Sequence, residues 1–412
     1  MNCFEDLEFR GLIKDMTNNA DFKEKLNAGG MTFYIGTDPT ADSLHIGHLS
    51  SFLICERLAR YGHKPIVLVG GATGLVGDPR PTKERETSSK EFVLKNIEGI
   101  KAQLAKYFPN CEMVNNYDWT KDISYLDFLR DNGKYFNINY MINKDIIKRR
   151  LDEGISYTEF SYQILQALDF EHLWENKGCT MQIGGQDQWG NITSGLELIR
   201  KLHGFESWAG GFTAPLFTKS DGTKFGKSES GAVWLDPTKT SPYAFYQFWL
   251  NTPDADVIKS LKQFTFLSKE EIEELEKSFN EAPHLREAQK ALAKELTVMI
   301  HGEKAYEQAI RLSAALFSGK ISDLTKEEIE IGFEGLPQVE ISEPLGLIDA
   351  LVVTKAASSK REARDFINGG GVLVNGEQVK DMNFVITNEH TIGGTHTIIR
   401  RGKKNYYVIK HV

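Results

Sequence analysis

Cysteine is scarce in this 412-residue chain, and the four that occur, Cys3, Cys55, Cys111 and Cys179, stand far apart. Neither a zinc-finger spacing nor a disulfide framework can be drawn from them, which fits a reducing compartment. No long apolar run exists. The longest, residues 65–77, is broken by four glycines, whereas a membrane span needs about 20 apolar residues. The first eleven residues carry Glu5, Asp6 and Glu8 in place of an apolar leader, so no secretory signal is expected. Excess positive charge is also missing: 49 Lys and Arg face 57 Asp and Glu, a net −8. That excludes a uniformly basic nucleic-acid binder but not a local basic patch. There is no internal repeat and no low-complexity tract. With 41% apolar and 26% charged residues, the composition is that of an ordinary globular protein of two or three domains. A soluble cytoplasmic protein is expected.

Hydrophobic patterning gives the first domain. Residues 32–36 (Thr-Phe-Tyr-Ile-Gly) read as a buried strand ending in a glycine turn, residues 44–61 as a helix, and residues 65–69 as a second strand. Strand, helix and strand within about forty residues make a βαβ unit and imply a parallel sheet. Residues 180–183 predict another strand, followed by a helix over 191–203. From Ser268 to Ser318 the pattern is helical, opened by a capping box at Ser268 and Glu271. Residues 319–344 hold seven acidic residues and two lysines and read as a solvated linker, partly helical after Thr325. Residues 345–412 carry a net +4, against −12 for the rest. A positive module on a negative body favours a polyanion partner, although a small domain with a charged surface fits the charge alone as well.

Five constellations could carry chemistry. Asp38 to His48 joins the first strand to the first helix, where open α/β sheets bind ligands. Ser43 can cap that helix, His45 and His48 share one face, and Gly47 removes a side chain between them. Imidazoles at a helix N-terminus suit a nucleotide triphosphate; a metal pair or two surface histidines are the alternatives. Gly70, Gly71, Gly74 and Gly77 precede Asp78 without a following Gly-Lys-Ser/Thr and without the dinucleotide spacing, so a tight structural turn explains them equally. Tyr162, Gln166 and Asp169 stand at i, i+4 and i+7 on a helix. They could grip a small zwitterion or form a solvated face. Gly184 to Asn191 places Gln186, Asp187 and Gln188 at a strand end, suited to ribose and carboxylate or to a capped helix start. Lys219 to Ser228 holds three lysines in a polar glycine-containing stretch, either a loop that neutralises phosphates or a surface loop.

Together these motifs resemble the bacterial tyrosyl-tRNA synthetases, a class I aminoacyl-tRNA synthetase family. His45-Ile46-Gly47-His48 matches the HIGH motif letter for letter, and Lys224-Phe225-Gly226-Lys227-Ser228 is similar to KMSKS with its second and third letters changed. The order of motifs and the pair Tyr34 and Asp169 also match. The resemblance implies an α/β chain: a Rossmann-like parallel-sheet catalytic domain over 1–220, a catalytic lysine loop and α-helical anticodon-binding domain over 221–320, an acidic linker over 321–344, and a small α+β S-four-like RNA-binding domain over 345–412. It implies tyrosine activation by ATP, with Mg²⁺ on the phosphates and no tightly bound cofactor or protein-held metal, then transfer to the 3′ ribose of tRNA(Tyr) by a homodimer with contacts near Phe128 to Ile147.

Residue by residue, the resemblance assigns Tyr34 and Asp169 to the phenolic hydroxyl of tyrosine. It assigns Asp78, Tyr162 and Gln166 to the ammonium group, and Gln188 to the carboxylate. Gly36, Asp38, Gly47, His48, Ser51, Gly185 and Asp187 would line the ATP site. Thr40 and His45 would meet the γ-phosphate, with His48 beside them. Lys224 and Lys227 would meet the departing pyrophosphate, Lys219 being nearby; Lys83 and Arg85 are further candidates. Lys355, Lys360, Arg361 and Arg364 would present an RNA-binding face, with Arg400, Arg401, Lys403 and Lys404 adding charge. The residues make chemical sense of this, because an attack by substrate carboxylate on the ATP α-phosphate needs positioning and charge stabilisation but no protein nucleophile. A site built to pair a buried hydroxyl rejects the analogue lacking it, a selection of which this family is the standard illustration. Two rival readings stand beside it: the same chemistry with tryptophan, and a non-enzymatic RNA-binding protein on a synthetase-like body.

Overall fold

The apolar runs Phe33-Tyr34-Ile35, Ile66 to Val69 and Met181 to Ile183 are buried, as strands covered on both faces must be. They form the centre of a six-stranded sheet in the computed structural model, which describes residues 1–79, 89–151, 154–218, 220, 227–228, 231–318, 321–333, 336–402 and 405–412, the side chains of 145, 146, 227 and 228 excepted. The chain divides into two compact units, Met1–Thr240 with Leu250–Leu296, and Ser241–Trp249 with Thr297–Val412.

In the first unit the strands are β1 (Asp15–Met16), β2 (Thr32–Thr37), β3 (Lys64–Val69), β4 (Glu112–Asn115), β5 (Cys179–Gly185) and β6 (Gly210–Ala214), in the order β1-β6-β5-β2-β3-β4. β1 is antiparallel to β6, and the other neighbours are parallel. β2 therefore pairs with β3 on one side and with β5 on the other. That reversal of strand order is the switch point at which such sheets open a crevice at their carboxyl ends.

Five helices matter for the site: α1 (Ile46–Arg60), α2 (Lys90–Tyr107), α3 (Tyr157–Lys177), α4 (Trp189–His203) and α5 (Asp254–Phe264). α1 connects β2 to β3 and buries Leu49, Phe52, Leu53 and Leu58. Its cap is not Ser43, as expected, but His45, whose Nδ1 accepts from Gly47 N at 3.0 Å. Ser43 is buried two residues earlier and turns its hydroxyl to the Leu44 carbonyl and Gln103. α3 starts on a Ser156 cap and stops at Gly178, whose φ of 60° ends the helix. The unit division cuts the region expected to be one helical domain. The physical reason is that the turn after α5 is bonded to the first unit, Arg10 and Arg57 both donating to the Thr265 carbonyl.

The second unit holds two cores. One gathers Leu347, Leu351, Ile367, Val374, Ile399 and Ile409 under helices Leu347–Val353 and Lys360–Asn368. Asn375 (φ 52°) and Gly376 (φ 90°) turn the hairpin between Val372–Val374 and Glu377–Gln378. The other core corrects the linker expectation. Ile321, Leu324, Ile329 and Phe333 are buried with Leu312, Ile392, Ile398 and Val408. A helix spans Lys326–Gly332, and Gln338–Ile341 pairs in parallel with Asn405–His411. Asp323, Glu327, Glu330, Glu340 and Glu343 are exposed and Glu328 is buried against Arg311, in a segment whose apolar residues make a core. No helix among the described residues is long and apolar enough to cross a membrane.

Candidate active site

A cavity of about 170 Å³ lies at the carboxyl ends of β2 and β5. Of the residues singled out from the sequence, it gathers Tyr34, Gly36, Asp38, Ser51, Asp78, Tyr162, Gln166, Asp169, Gly185 and Gln188. β2 supplies Tyr34 and Gly36, and Asp38 follows directly after it. α3 supplies the stripe of Tyr162, Gln166 and Asp169, and this stripe is not a solvated face: Tyr162 is 4% exposed and Asp169 2%.

The floor of the cavity is the tightest part. Asp169 accepts from Trp119 Nε1 and from Asn116 Nδ2, each at 2.9 Å. Asn116 also donates to Thr73 Oγ1 at 3.1 Å, and Thr73 donates to Asp38 at 3.0 Å. A Cβ at Gly70 would run into both Thr73 Oγ1 and the Asp38 carboxylate, so the glycine turn after β3 serves close packing under the cavity. Tyr34 is 1% exposed, and its hydroxyl has no hydrogen-bond partner among the described residues. Burial, reinforced by the Asp169 charge, holds that phenol well above its ordinary value. Burial likewise raises Asp169 to about 7, against the pull of its two donors.

The rim is an amide and carboxylate network. Gln188 Nε2 donates to Asp78 at 2.8 Å and Gln166 Nε2 to Gln188 Oε1 at 3.2 Å. Gln182 Nε2 in turn donates to Gln166 Oε1 at 3.3 Å, and Asn191 donates to Gln188 Oε1 at 2.9 Å. Burial pushes Asp78 up to about 7, with the nearby charges of Asp38 and Asp187 in the same direction. Such perturbed carboxylates in a cleft mark a functional site.

The remaining candidates lie outside this cavity. His45 and His48 stack at 3.9 Å between ring centroids at the start of α1. Burial and the neighbouring His45 lower His48 to about 3, so it is neutral. Its Nδ1 accepts from His45 N at 3.2 Å, which leaves the ring proton on Nε2. Gly47, between them in the chain, and Thr40 are exposed, and Asp187 lines a neighbouring cavity of about 660 Å³. The chain after the lysine motif returns to this corner: Ile46 N donates to Val233 O at 3.0 Å and Leu235 N to Leu44 O at 2.9 Å. Lys83, Arg85, Lys219, Lys224, Lys403 and Lys404 lie outside the described residues, as does the side chain of Lys227, whose backbone pairs with Ala232. In the second unit Lys355, Lys360, Arg361 and Arg364 are exposed, and Lys360 pairs with Asp349 at 2.6 Å.

Sequence reasoning missed Asn116, Trp119, Thr73 and Gln182. The signal for Asn116 was its place just past β4, at the carboxyl edge that also carries Asp38 and Gln186.

A doubly wound sheet with its cleft at the switch point, and a His-Ile-Gly-His start to the helix beside it, defines the class I aminoacyl-tRNA synthetase architecture. Residues 26–318 match the family described as tRNA synthetases class I (W and Y), and residues 328–409 the tyrosine–tRNA ligase SYY-like C-terminal domain. A C-terminally truncated mitochondrial tyrosyl-tRNA synthetase of Aspergillus nidulans is 33% identical, with 77% of this chain and 94% of that one covered at a TM-score of 0.68. The corresponding protein of Coccidioides posadasii is also 33% identical, over 76% and 91%, at 0.65. A tyrosyl-tRNA synthetase of Archaeoglobus fulgidus complexed with L-tyrosine shares the fold at 17% identity, over 75% and 100%, at 0.55. The chain belongs to the tyrosyl-tRNA synthetase family, the tyrosine–tRNA ligases.

Proposed function

We propose that the cavity is the tyrosine site and that each residue acts as follows. Tyr34 and Asp169 pair the phenolic hydroxyl at the floor. Asp78, Tyr162 and Gln166 hold the ammonium group, and Gln188 lies by the carboxylate. The observation that carries this reading is the Tyr34 hydroxyl, buried without a partner beside the buried Asp169 carboxylate. An orphaned buried hydroxyl costs free energy until a ligand satisfies it, and a phenol on the substrate can donate to Asp169 and accept from Tyr34.

ATP then lies across Gly36, Asp38, Gly47, Ser51, Gly185 and Asp187, towards the start of α1. The tyrosine carboxylate attacks the α-phosphorus, a P–O bond forms, and pyrophosphate leaves with the electron pair. Thr40 and His45 are the donors to the γ-phosphate, His48 lines the ATP site beside them, and Lys224 and Lys227 are the cations that meet the leaving charge. Mg²⁺ comes with ATP and neutralises its phosphate oxygens. The terminal ribose hydroxyl of tRNA(Tyr) afterwards attacks the mixed anhydride and releases AMP.

The helical part reads the anticodon, and residues 345–412 bind tRNA through Lys355, Lys360, Arg361 and Arg364 as a separate RNA-binding domain. The chain works as a homodimer through the segment near Phe128 to Ile147, where Leu126, Leu129, Ile138 and Tyr140 are exposed. We group it with the bacterial enzymes on its motifs and place it in the cytosol, where its unpaired cysteines would stay reduced.

Amino-acid-dependent ATP–pyrophosphate exchange tests the reading. Exchange with tyrosine alone is expected. Exchange with tryptophan instead would overturn the roles of Tyr34 and Asp169. A folded, ATP-binding protein with no exchange would turn the reading towards RNA binding without catalysis.

A further inference from the structure

Helix α5 lies outside the cavity, yet both of its ends hold something the reaction uses. Carbonyls of its last turn and of the turn just after it meet two guanidiniums. Arg10 donates to the carbonyls of Lys262, Thr265 and Leu267 at 2.9, 3.0 and 2.6 Å, and Arg57 to Thr265 O at 2.7 Å. Asp6 lies between them, accepting from Arg10 Nε at 2.6 Å and from Arg57 at 3.2 Å. Arg57 belongs to α1, the helix that opens on His45 and His48. The C-terminal end of α5 is thereby fixed to α1.

The N-terminal end holds a different stretch of chain. Asp256, 8% exposed, accepts the Ser220 N–H on both carboxylate oxygens, at 3.1 and 3.3 Å, and the Ser220 hydroxyl at 3.2 Å. One helical span away, the Phe217 ring packs on Phe264 with centroids 5.1 Å apart. Asp256 and Phe264 are separated by about 12 Å of helix axis, so Phe217 and Ser220 meet α5 at two separate points. Ser220 is the last described residue before the segment carrying Lys224.

We infer that Asp256 is a positioning residue for tyrosine activation. It sets the point from which the lysine-bearing segment departs, and α5 relays that point to the helix bearing His45 and His48. This rests on the lysine roles proposed above. An acidic residue in the first turn of a helix can also serve only to stabilise that helix. The two roles separate in kinetics, because a helix-stabilising role moves the melting temperature and a positioning role moves the rate. Asp256 does not line the cavity, so tyrosine binding is a clean internal control.

The test compares wild type, Asp256→Ala, Asp256→Asn and Ser220→Ala by single-turnover formation of tyrosyl-adenylate, equilibrium binding of tyrosine and thermal melting. Asp256→Ala is expected to slow adenylate formation by about ten- to a hundredfold, the range that small misplacements of catalytic groups produce, at unchanged tyrosine affinity. Asp256→Asn, which keeps one carbonyl acceptor, should recover part of the rate. Ser220→Ala, which keeps both N–H contacts, should lose least. A wild-type rate in Asp256→Ala overturns the inference, and so does a rate loss matched by an equal loss of tyrosine affinity. If Asp256→Ala does not fold, wild-type rates in both other variants overturn it. Wild-type protein that does not exchange pyrophosphate with tyrosine brings down the underlying reading and the inference with it, and that control tells the two failures apart.

Discussion

Trp119 donates its indole N–H to the Asp169 carboxylate across 2.9 Å, from a residue fifty positions earlier in the chain. With Asn116 on the other oxygen, the indole fixes the direction in which the carboxylate faces the cavity. Hydrogen bonds to charged groups contribute about 1.5–3 kcal/mol. Trp119→Phe should therefore weaken tyrosine binding about tenfold while phenylalanine binding changes little, so that selectivity narrows. Equilibrium dialysis with both amino acids measures it, and an unchanged ratio would separate Trp119 from hydroxyl recognition.

Asp78 makes opposite demands on stability and on binding. Burial raises its carboxyl to about 7, against about 3.9 in an unfolded chain. The folded state thus holds the proton more tightly. This group's stabilising effect is complete below about pH 4 and is lost as pH rises towards 7. Asp78→Asn should raise the melting temperature at about pH 8, and the gain should shrink towards pH 4. Tyrosine shows the reverse dependence, since its ammonium needs the ionised carboxylate. Wild-type affinity should fall by up to about tenfold per pH unit below 7, and Asp78→Asn should bind tyrosine poorly throughout. A flat wild-type profile would remove Asp78 from ammonium recognition.

His45 has two roles that substitution can separate. Its Nδ1 caps α1, and the site reading makes it a donor to the γ-phosphate. Losing the cap costs about 1 kcal/mol of stability. Losing one donor of transition-state charge costs about 3 kcal/mol in comparable sites. His45→Ala should lose both, with tyrosine affinity unchanged. His45→Asn, a good cap, should restore the melting temperature and only part of the adenylation rate. A near-normal rate in His45→Ala would remove it from catalysis.

Much of this was legible locally. The β2–α1–β3 unit follows from buried β-branched and aromatic runs around a helical pattern, and the hairpin at Asn375-Gly376 from its turn residues. What local pattern could not give was packing at long range. The spacing of Tyr162, Gln166 and Asp169 defines one face of α3, but only the sheet and α4 decide that this face is buried. Ser43 is the usual type of cap, but it is buried against Gln103, and the helix starts later, on His45. Asn116 and Trp119 reach Asp169 across a gap no local window spans. Acidic composition hid the core of residues 321–344, because charge averages conceal which side chains face inward.

That hidden core changes how a truncation should be cut. Removing residues 345–412 looks like a clean removal of the RNA-binding domain, but it takes Ile392, Ile398 and Val408 from a core that keeps Leu312, Ile321, Leu324, Ile329 and Phe333. It also takes the strand Asn405–His411 that pairs Gln338–Ile341. Each buried aliphatic or aromatic side chain left in water forfeits about 1.5–3 kcal/mol, and the residues exposed together would form an aggregation-prone patch. A chain ending at 344 should bind hydrophobic dyes and aggregate on warming. A chain ending at 318 removes most of that core along with its partners and should remain better behaved. The described lining of the tyrosine cavity extends no further than Gln188, so both truncations should keep pyrophosphate exchange when folded and lose tRNA charging. Dye binding and aggregation onset, compared between the two, measure the difference. Equal behaviour would mean that residues 321–344 hold their structure without the strands that follow.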